Sequence, residues 1–130
     1  MPTTHVHRSL VIDDDRAIWD LLSDVLAGEG FEVRVAANGQ QGLAILRAWR
    51  PDLIVLDLAM PVMDGWTFLA ERRRERFDDI PVIVLSATLD QRRQGGDGPE
   101  VAAALSKPCD LGQLLDTIGG VIARSIRPAC

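Results

Sequence analysis

Charged and hydroxyl side chains follow four separate apolar runs, and their types could support phosphoryl chemistry. Three aspartates at residues 13–15 follow "LVI", Asp57 closes "PDLIVLD", Ser86 closes "IPVIVLS" and Lys107 follows "AALS". Clustered carboxylates favour a small hard cation such as Mg²⁺, because the cation relieves their mutual repulsion. A carboxylate beside it can attack phosphorus, while an ammonium and a hydroxyl stabilise the transferred group.

The spacing of apolar residues predicts the elements that would hold these side chains. Five strands are predicted: residues 10–12, 31–36 ("FEVRVA") and 51–57, one in "IPVIVLSA" that ends at Ser86, and one in "AALSKP" that ends at Lys107. Helices are predicted to begin at Arg16, after the N-cap Asn38, at Trp66 and at Leu111. The helix that begins at Trp66 should end near Arg76. Trp19, Trp49 and Trp66 are expected as partly buried helix residues, and "QRRQGGDGPE" as a short or frayed helix.

Alternating strands and helices favour one doubly wound α/β domain, with a parallel sheet covered by helices on both faces. In such sheets the ligand site lies outside the carboxyl ends of the strands. We therefore expect the four polar strand ends to meet at one edge of the sheet.

The composition narrows the class of protein. The chain has 130 residues, 47% of them hydrophobic and 25% charged, which suits one soluble domain with a real core. A net charge of -5 argues against direct nucleic-acid binding, and "ERRRER" is interpreted as a solvated helix face. We expect a cytoplasmic domain without membrane insertion, in which Cys109 and Cys130 are free thiols.

Four motifs together carry a resemblance to a known family. "VIDDD", "LIVLDLAMPVMDG", "VIVLSA" and "SKP" occur in order, and the chain resembles the receiver domain of bacterial two-component response regulators. The resemblance covers residues 8–126, with residues 1–7 as a flexible leader and 127–130 as a tail. It implies a five-stranded parallel sheet in the flavodoxin-like order 2-1-3-4-5.

The resemblance also implies a phosphoacceptor and a metal site. Asp57 would receive a phosphoryl group from a sensor histidine kinase or a histidine phosphotransfer protein. Asp14 and Asp57 would bind Mg²⁺ or Mn²⁺ directly, Asp13 through water, and Ala59 through its backbone carbonyl. The domain would not be an enzyme beyond self-phosphorylation and slow autodephosphorylation.

Further residues would read the phosphorylated state. Lys107 would contact the phosphoryl oxygens, and Ser86 together with Ala87 would form the phosphoryl-binding switch. Pro108 would follow a cis peptide bond. Asp15 would have a supporting role.

One position departs from the family pattern. The family usually has Tyr or Phe three residues before its lysine, where this chain has Ala104, and the chain contains no tyrosine. We expect phosphorylation to be retained and the output, through an unknown downstream protein, to be altered. A monomer or a weak phosphorylation-dependent dimer is expected.

Other interpretations remain open at this point. The chain could be a receiver excised from a hybrid histidine kinase or from a longer DNA-binding regulator. A haloacid-dehalogenase-like phosphatase would use Asp13 as nucleophile and Asp15 as acid/base, but it leaves Asp57 without a role. An interaction module that is never phosphorylated would keep the fold alone.

Overall fold

The computed structural model describes residues 6–86, 101–107 and 110–125. Five strands and four helices lie within these ranges. In chain order they are β1 (Arg8–Ile12), α1 (Arg16–Gly28), β2 (Glu32–Ala36), α2 (Gly39–Ala48), β3 (Leu53–Leu56), α3 (Gly65–Arg74), β4 (Val82–Ser86), β5 (Ala103–Ser106) and α4 (Leu111–Ser125).

The strands form one parallel sheet in the order β2-β1-β3-β4-β5, which confirms the predicted fold class. The register aligns the strand ends, since Ile12 of β1 lies beside Ala36 of β2 and Leu56 of β3. The residues that follow β1 and β3 therefore leave the sheet at the same level, at its carboxyl edge.

Two apolar layers cover the two faces of the sheet. Successive side chains of a strand point to opposite faces, so Leu10 and Ile12 join one layer and Val11 the other. The first layer also contains residues of α2 and α3, and the second contains residues of α1 and α4. Burial of these layers fixes the sheet against its helices and makes it a rigid base for the loops at the carboxyl edge.

Side-chain caps fix where three helices begin. Asp15 Oδ1 accepts a hydrogen bond from the backbone N–H of Ala17 at α1. Asn38 caps α2 as predicted, and Asp64 caps α3. These caps satisfy backbone donors that have no partner within the helix.

Two predicted helix ends were wrong. Trp49 does not belong to α2, because its backbone is extended (φ -152°), as expected shortly before Pro51, which cannot continue a helix. Its ring is buried, with the guanidinium carbons of Arg8 and Arg34 lying 5.4 and 4.7 Å from its centre. The third helix ends at Arg74, and Arg76 lies beyond it with a positive φ of 70°.

Two further expectations concern an additional segment of helix and the crossing of a membrane. The short or frayed helix expected in "QRRQGGDGPE" lies outside the described residues. Among the helices that are described, none has the length and apolar character needed to cross a bilayer.

Candidate functional site

Three aspartates meet at the carboxyl edge of the sheet. Asp13 follows β1 and Asp57 follows β3. One carboxylate oxygen of each, together with one of Asp14, forms a group in which all three atoms lie within 4.8 Å of one another. Asp13 and Asp57 are only 3% and 6% exposed, whereas Asp14 faces solvent. The structure thus brings together the carboxylates that the sequence predicted to share one edge.

Lys107 joins this cluster from the far end of the chain. It follows β5, and its Nζ lies 2.8 Å from Oδ2 of Asp13 and 3.7 Å from Oδ1 of Asp57. The ammonium therefore contacts both buried carboxylates, with the shorter contact to Asp13.

The electrostatics of the cluster favour a cation. Burial, followed by the negative charge of Asp13, raises the pKa of Asp57 above its ordinary value, and the charge of Lys107 opposes this. Burial lowers the pKa of Lys107, but the hydrogen bond and charge of Asp13 and the charge of Asp57 raise it overall, so this side chain stays an ammonium. One ammonium faces three carboxylates, and a further positive charge would relieve the remaining repulsion.

Backbone hydrogen bonds hold the first strand end in place. The N–H of Asp13 donates to the carbonyl of Ala36 at 3.0 Å, and the N–H of Asp57 donates to the carbonyl of Ile12 at 2.9 Å. Asp13 Oδ1 accepts from the N–H of Asp15 at 2.9 Å. Asp15 therefore shapes the turn through its backbone and caps α1 through its side chain.

A glycine allows the loop after β3 to fold back onto Asp57. The N–H of Gly65 donates to the carbonyl of Leu58 at 2.8 Å. A Cβ atom at Gly65 would lie 2.6 Å from the carbonyl oxygen of Asp57 and 2.7 Å from the Cα of Leu58. Both distances are too short for any side chain, so the glycine of the "MDG" motif is a steric requirement of this site.

The donor set fits a hard divalent cation. Three carboxylates offer oxygen ligands, and Asp14 lies on the solvent side, where a partly hydrated ion can enter. Ala59, two residues beyond Asp57, is also exposed, and its carbonyl remains a predicted ligand.

Other predicted site residues are described only in part. Ser86 ends β4 beside Ser106 of β5, but its side chain, Ala87 and Pro108 lie outside what the structure describes. Ala104 lies within β5, exposed and paired with Val84.

Sequence reasoning missed one contact of the site. The indole N–H of Trp19, in α1, donates to the backbone carbonyl of Asp13. The sequence predicted a partly buried helix residue there, and Trp19 is indeed partly buried. The available signal was its place in the first turns of the helix, from which a long side chain reaches back over the preceding loop.

Similar proteins cover nearly the whole of this chain. The DNA-binding dual master transcriptional regulator RpaA of Synechocystis sp. is 40% identical over 123 residues, which are 92% of this chain and 51% of that protein. Response regulator MprA of Mycolicibacterium vanbaalenii is 35% identical over 120 residues, 91% of this chain and 51% of that protein. The chain thus spans about half the length of these curated relatives.

Solved structures have the same fold. A CheY-like response regulator receiver domain from Methanospirillum hungatei superposes with a TM-score of 0.85 at 26% identity, covering 93% of this chain and 97% of that one. The chemotaxis response regulator CheY4 of Vibrio cholerae gives 0.81 at 31% identity, covering 90% and 99%. The receiver domain of a signal transduction histidine kinase from Syntrophus aciditrophicus gives 0.84 at 25% identity, covering 95% of each chain.

The family model of the response regulator receiver domain matches residues 9–119. Members of this family are regulatory phosphoacceptor domains of two-component signalling, and they typically bind Mg²⁺ at an acidic pocket. The motifs, the strand order and the acidic edge of the sheet agree with that match. This chain belongs to the response regulator receiver domain family.

Proposed function

We propose that this chain is the phosphoacceptor of a two-component phosphorelay and that Asp57 carries the phosphoryl group. The observation that supports Asp57 most directly is its place between Asp13, Asp14 and Lys107 at the carboxyl edge of the sheet. Its carboxylate is nearly buried, and because burial and the charge of Asp13 raise its pKa, a bound cation would stabilise its charged form. Family membership favours this role over a phosphatase that attacks through Asp13.

The transfer breaks one bond and forms one bond. A carboxylate oxygen of Asp57 attacks phosphorus in a phosphohistidine of the partner, and the P–N bond breaks with its electron pair returning to the imidazole. The product is an acyl phosphate on Asp57. Water later attacks this phosphorus and releases inorganic phosphate, which is the slow autodephosphorylation proposed for the domain.

Asp14 and Asp57 would hold Mg²⁺ or Mn²⁺ directly, Asp13 through water, and Ala59 through its carbonyl. When bound, the ion supplies positive charge to the phosphoryl oxygens as they approach the carboxylates. Lys107, whose ammonium already contacts Asp13 and Asp57, would add a second positive charge from the protein.

Readout of the phosphoryl group would involve Ser86, Ala87 and the peptide before Pro108. Ala104 cannot supply an aromatic side chain, so the output would differ from that of receivers with Tyr or Phe there. The partners would be a sensor histidine kinase or a histidine phosphotransfer protein, and a downstream protein of unknown identity. We include in this proposal a cytoplasmic location, a monomer or weak phosphorylation-dependent dimer, and no direct nucleic-acid contact by this chain.

A second candidate concerns the whole protein. Curated relatives named as DNA-binding regulators are about twice as long as this chain, which favours a receiver that belongs to a longer DNA-binding regulator. The structural similarity to the receiver domain of a histidine kinase supports the other possibility, a receiver that belongs to a hybrid histidine kinase. The length of the protein detected in cell extracts with an antibody against this chain separates both from a stand-alone receiver.

Intact-mass measurement after incubation with acetyl phosphate tests the proposed function. The native chain should gain one phosphoryl group only when Mg²⁺ is present, and Asp57→Asn should gain none. Asp24→Asn, on the exposed surface of α1, is the matched control and should behave as the native chain does. A native chain that gains no phosphoryl group, or an Asp57→Asn variant that gains one under the same conditions, would contradict the proposal.

A further inference from the structure

We propose that Trp19 is a positioning residue for the cation site and that its indole N–H acts by holding the backbone carbonyl of Asp13. This inference rests on the proposed Mg²⁺ site. It concerns a helix side chain that lies outside the predicted ligand set, and it explains how the exposed Asp14 is kept in place.

Hydrogen bonds anchor Asp13 from several directions. Its N–H donates to Ala36 of β2, its Oδ1 accepts from the N–H of Asp15, and its Oδ2 accepts from Lys107. Its carbonyl accepts from the indole of Trp19. The first three contacts fix the position of Asp13 itself, whereas the fourth fixes the peptide that leads onward to Asp14.

The orientation of that peptide decides where Asp14 lies. The peptide unit is planar, so fixing the carbonyl oxygen of Asp13 also fixes the N–H and the Cα of Asp14. Asp14 is exposed, yet its carboxylate must remain within 4.8 Å of two other carboxylates that repel it. An anchored peptide limits how far Asp14 can move away from the other two carboxylates. It therefore reduces the loss of conformational entropy when a cation binds.

Contacts within the protein hold Trp19 in place. Its ring packs against the apolar layer that α1 shares with α4, and its backbone N–H donates to the carbonyl of Asp15 at 3.2 Å. The guanidinium of Arg16 lies 5.7 Å from the centre of its ring. The indole therefore connects the packed body of the domain to the loop that carries the carboxylates.

Substitutions at Trp19 can separate the hydrogen bond from the packing. Trp19→Phe keeps an aromatic ring and removes the donor. Trp19→His restores a donor, because Nε2 of histidine is as many bonds from Cα as the indole nitrogen is. Trp49→Phe is the matched control, since Trp49 is buried at the opposite edge of the sheet and its Nε1 has no hydrogen-bond partner within the described part of the chain.

Calorimetric titration of the metal-free chains with MgCl₂ is the test. A hydrogen bond that orients a metal ligand without contacting the metal typically strengthens metal binding. Loss of the indole donor in Trp19→Phe should therefore raise the Kd for Mg²⁺ about tenfold. Trp19→His should bind Mg²⁺ within about threefold of the native chain, and Trp49→Phe should match it. At saturating Mg²⁺ the phosphorylation rate of Trp19→Phe should return close to the native rate, because the defect lies in binding the ion.

Two results would overturn the inference. One is a native Kd for Trp19→Phe; the other is an equal loss in Trp19→Phe and Trp19→His, which would assign the effect to packing. If Trp19→Phe does not fold, β-(3-benzothienyl)alanine at position 19 replaces the N–H by sulfur within the same ring shape, and a native Kd for that protein likewise overturns the inference. A native chain that binds no Mg²⁺ overturns the proposed cation site as well, so the two failures are distinguishable.

Discussion

Lys107 and Asp13 are 94 positions apart in the chain, yet the Nζ of Lys107 lies 2.8 Å from the Oδ2 of Asp13. The pair connects the end of β1 to the end of β5 across the carboxyl edge of the sheet. The ammonium lies 3.7 Å from Oδ1 of Asp57, so its hydrogen bond goes to Asp13 and the contact with Asp57 is longer. The positive charge of Lys107 thus stabilises two buried carboxylates.

Removal of this charge should destabilise the metal-free protein. Lys107→Met leaves Asp13 and Asp57 buried without their ammonium, and we expect the free energy of unfolding in EDTA to fall by about 2 kcal/mol. Saturating Mg²⁺ should recover most of the loss, and Lys107→Arg, which keeps the charge, should lose less. Urea unfolding of the three chains with and without Mg²⁺ measures this; an equal loss in both conditions would show that the charge is not what Lys107 contributes.

Neutralising Asp57 should stabilise the metal-free protein at neutral pH. The folded-state pKa of Asp57 is raised by its burial and by Asp13, so its favourable contribution is present below the ordinary carboxyl pKa of about 4 and is lost as the pH rises through the raised value. Asp57→Asn should therefore gain about 1 kcal/mol in EDTA at about pH 7.5 and clearly less at about pH 4. The measurement is urea unfolding at both values, with the exposed Asp24→Asn as control; a gain independent of pH would exclude ionisation as its cause.

A methyl group at Gly65 should displace the backbone at Asp57. The added Cβ would lie 2.6 Å from the carbonyl oxygen of Asp57, so Gly65→Ala should lower the free energy of unfolding by about 2–3 kcal/mol and slow phosphorylation. Gly28→Ala is the matched control, because nothing lies within 4 Å of its added Cβ, and it should be neutral or slightly stabilising. Thermal unfolding and the acetyl phosphate reaction measure both effects, and equal stability of the two variants would refute the steric account.

The loop between β3 and α3 carries backbone strain at Val62. This β-branched residue has a φ of 70° while 75% exposed, so its side chain contributes little burial to offset the left-handed conformation. Val62→Asn should raise the free energy of unfolding by about 1 kcal/mol, since asparagine tolerates this region. Val6→Asn, at another exposed valine, should leave stability unchanged. Urea unfolding compares the two, and a destabilised Val62→Asn would contradict the assignment of strain.

Much of the fold follows from local patterns in the sequence. The continuous apolar runs before Asp13 and Asp57 predict strands buried on both faces, and the cap at Asn38 predicts the start of α2. The strand order came from the family resemblance, because alternation of strands and helices permits several orders. The predicted ends of α2 and α3 were one and two residues too late, because apolar spacing does not show where the helical hydrogen bonds end. Trp49 fits the helical spacing of apolar residues, but its backbone is extended.

The sequence predicts which residues form the site better than it predicts the contacts between them. Parallel strands share a carboxyl edge, so the meeting of Asp13, Asp57 and Lys107 followed from their places after strands. The shorter contact of Lys107 to Asp13 depends on side-chain geometry, which spacing does not encode. The hydrogen bond of Trp19 was missed for a related reason, since an aromatic residue on an amphipathic helix is usually explained by packing alone.

Locating the phosphoryl group on the chain tests the proposed role of Asp57. After reaction with acetyl phosphate and Mg²⁺, borohydride reduces an aspartyl phosphate to homoserine, and tandem mass spectrometry of peptides identifies the position of the reduced residue. We expect homoserine at position 57 alone, and none without Mg²⁺. Homoserine at position 13 in place of 57 would contradict it and return Asp13 to the role of nucleophile.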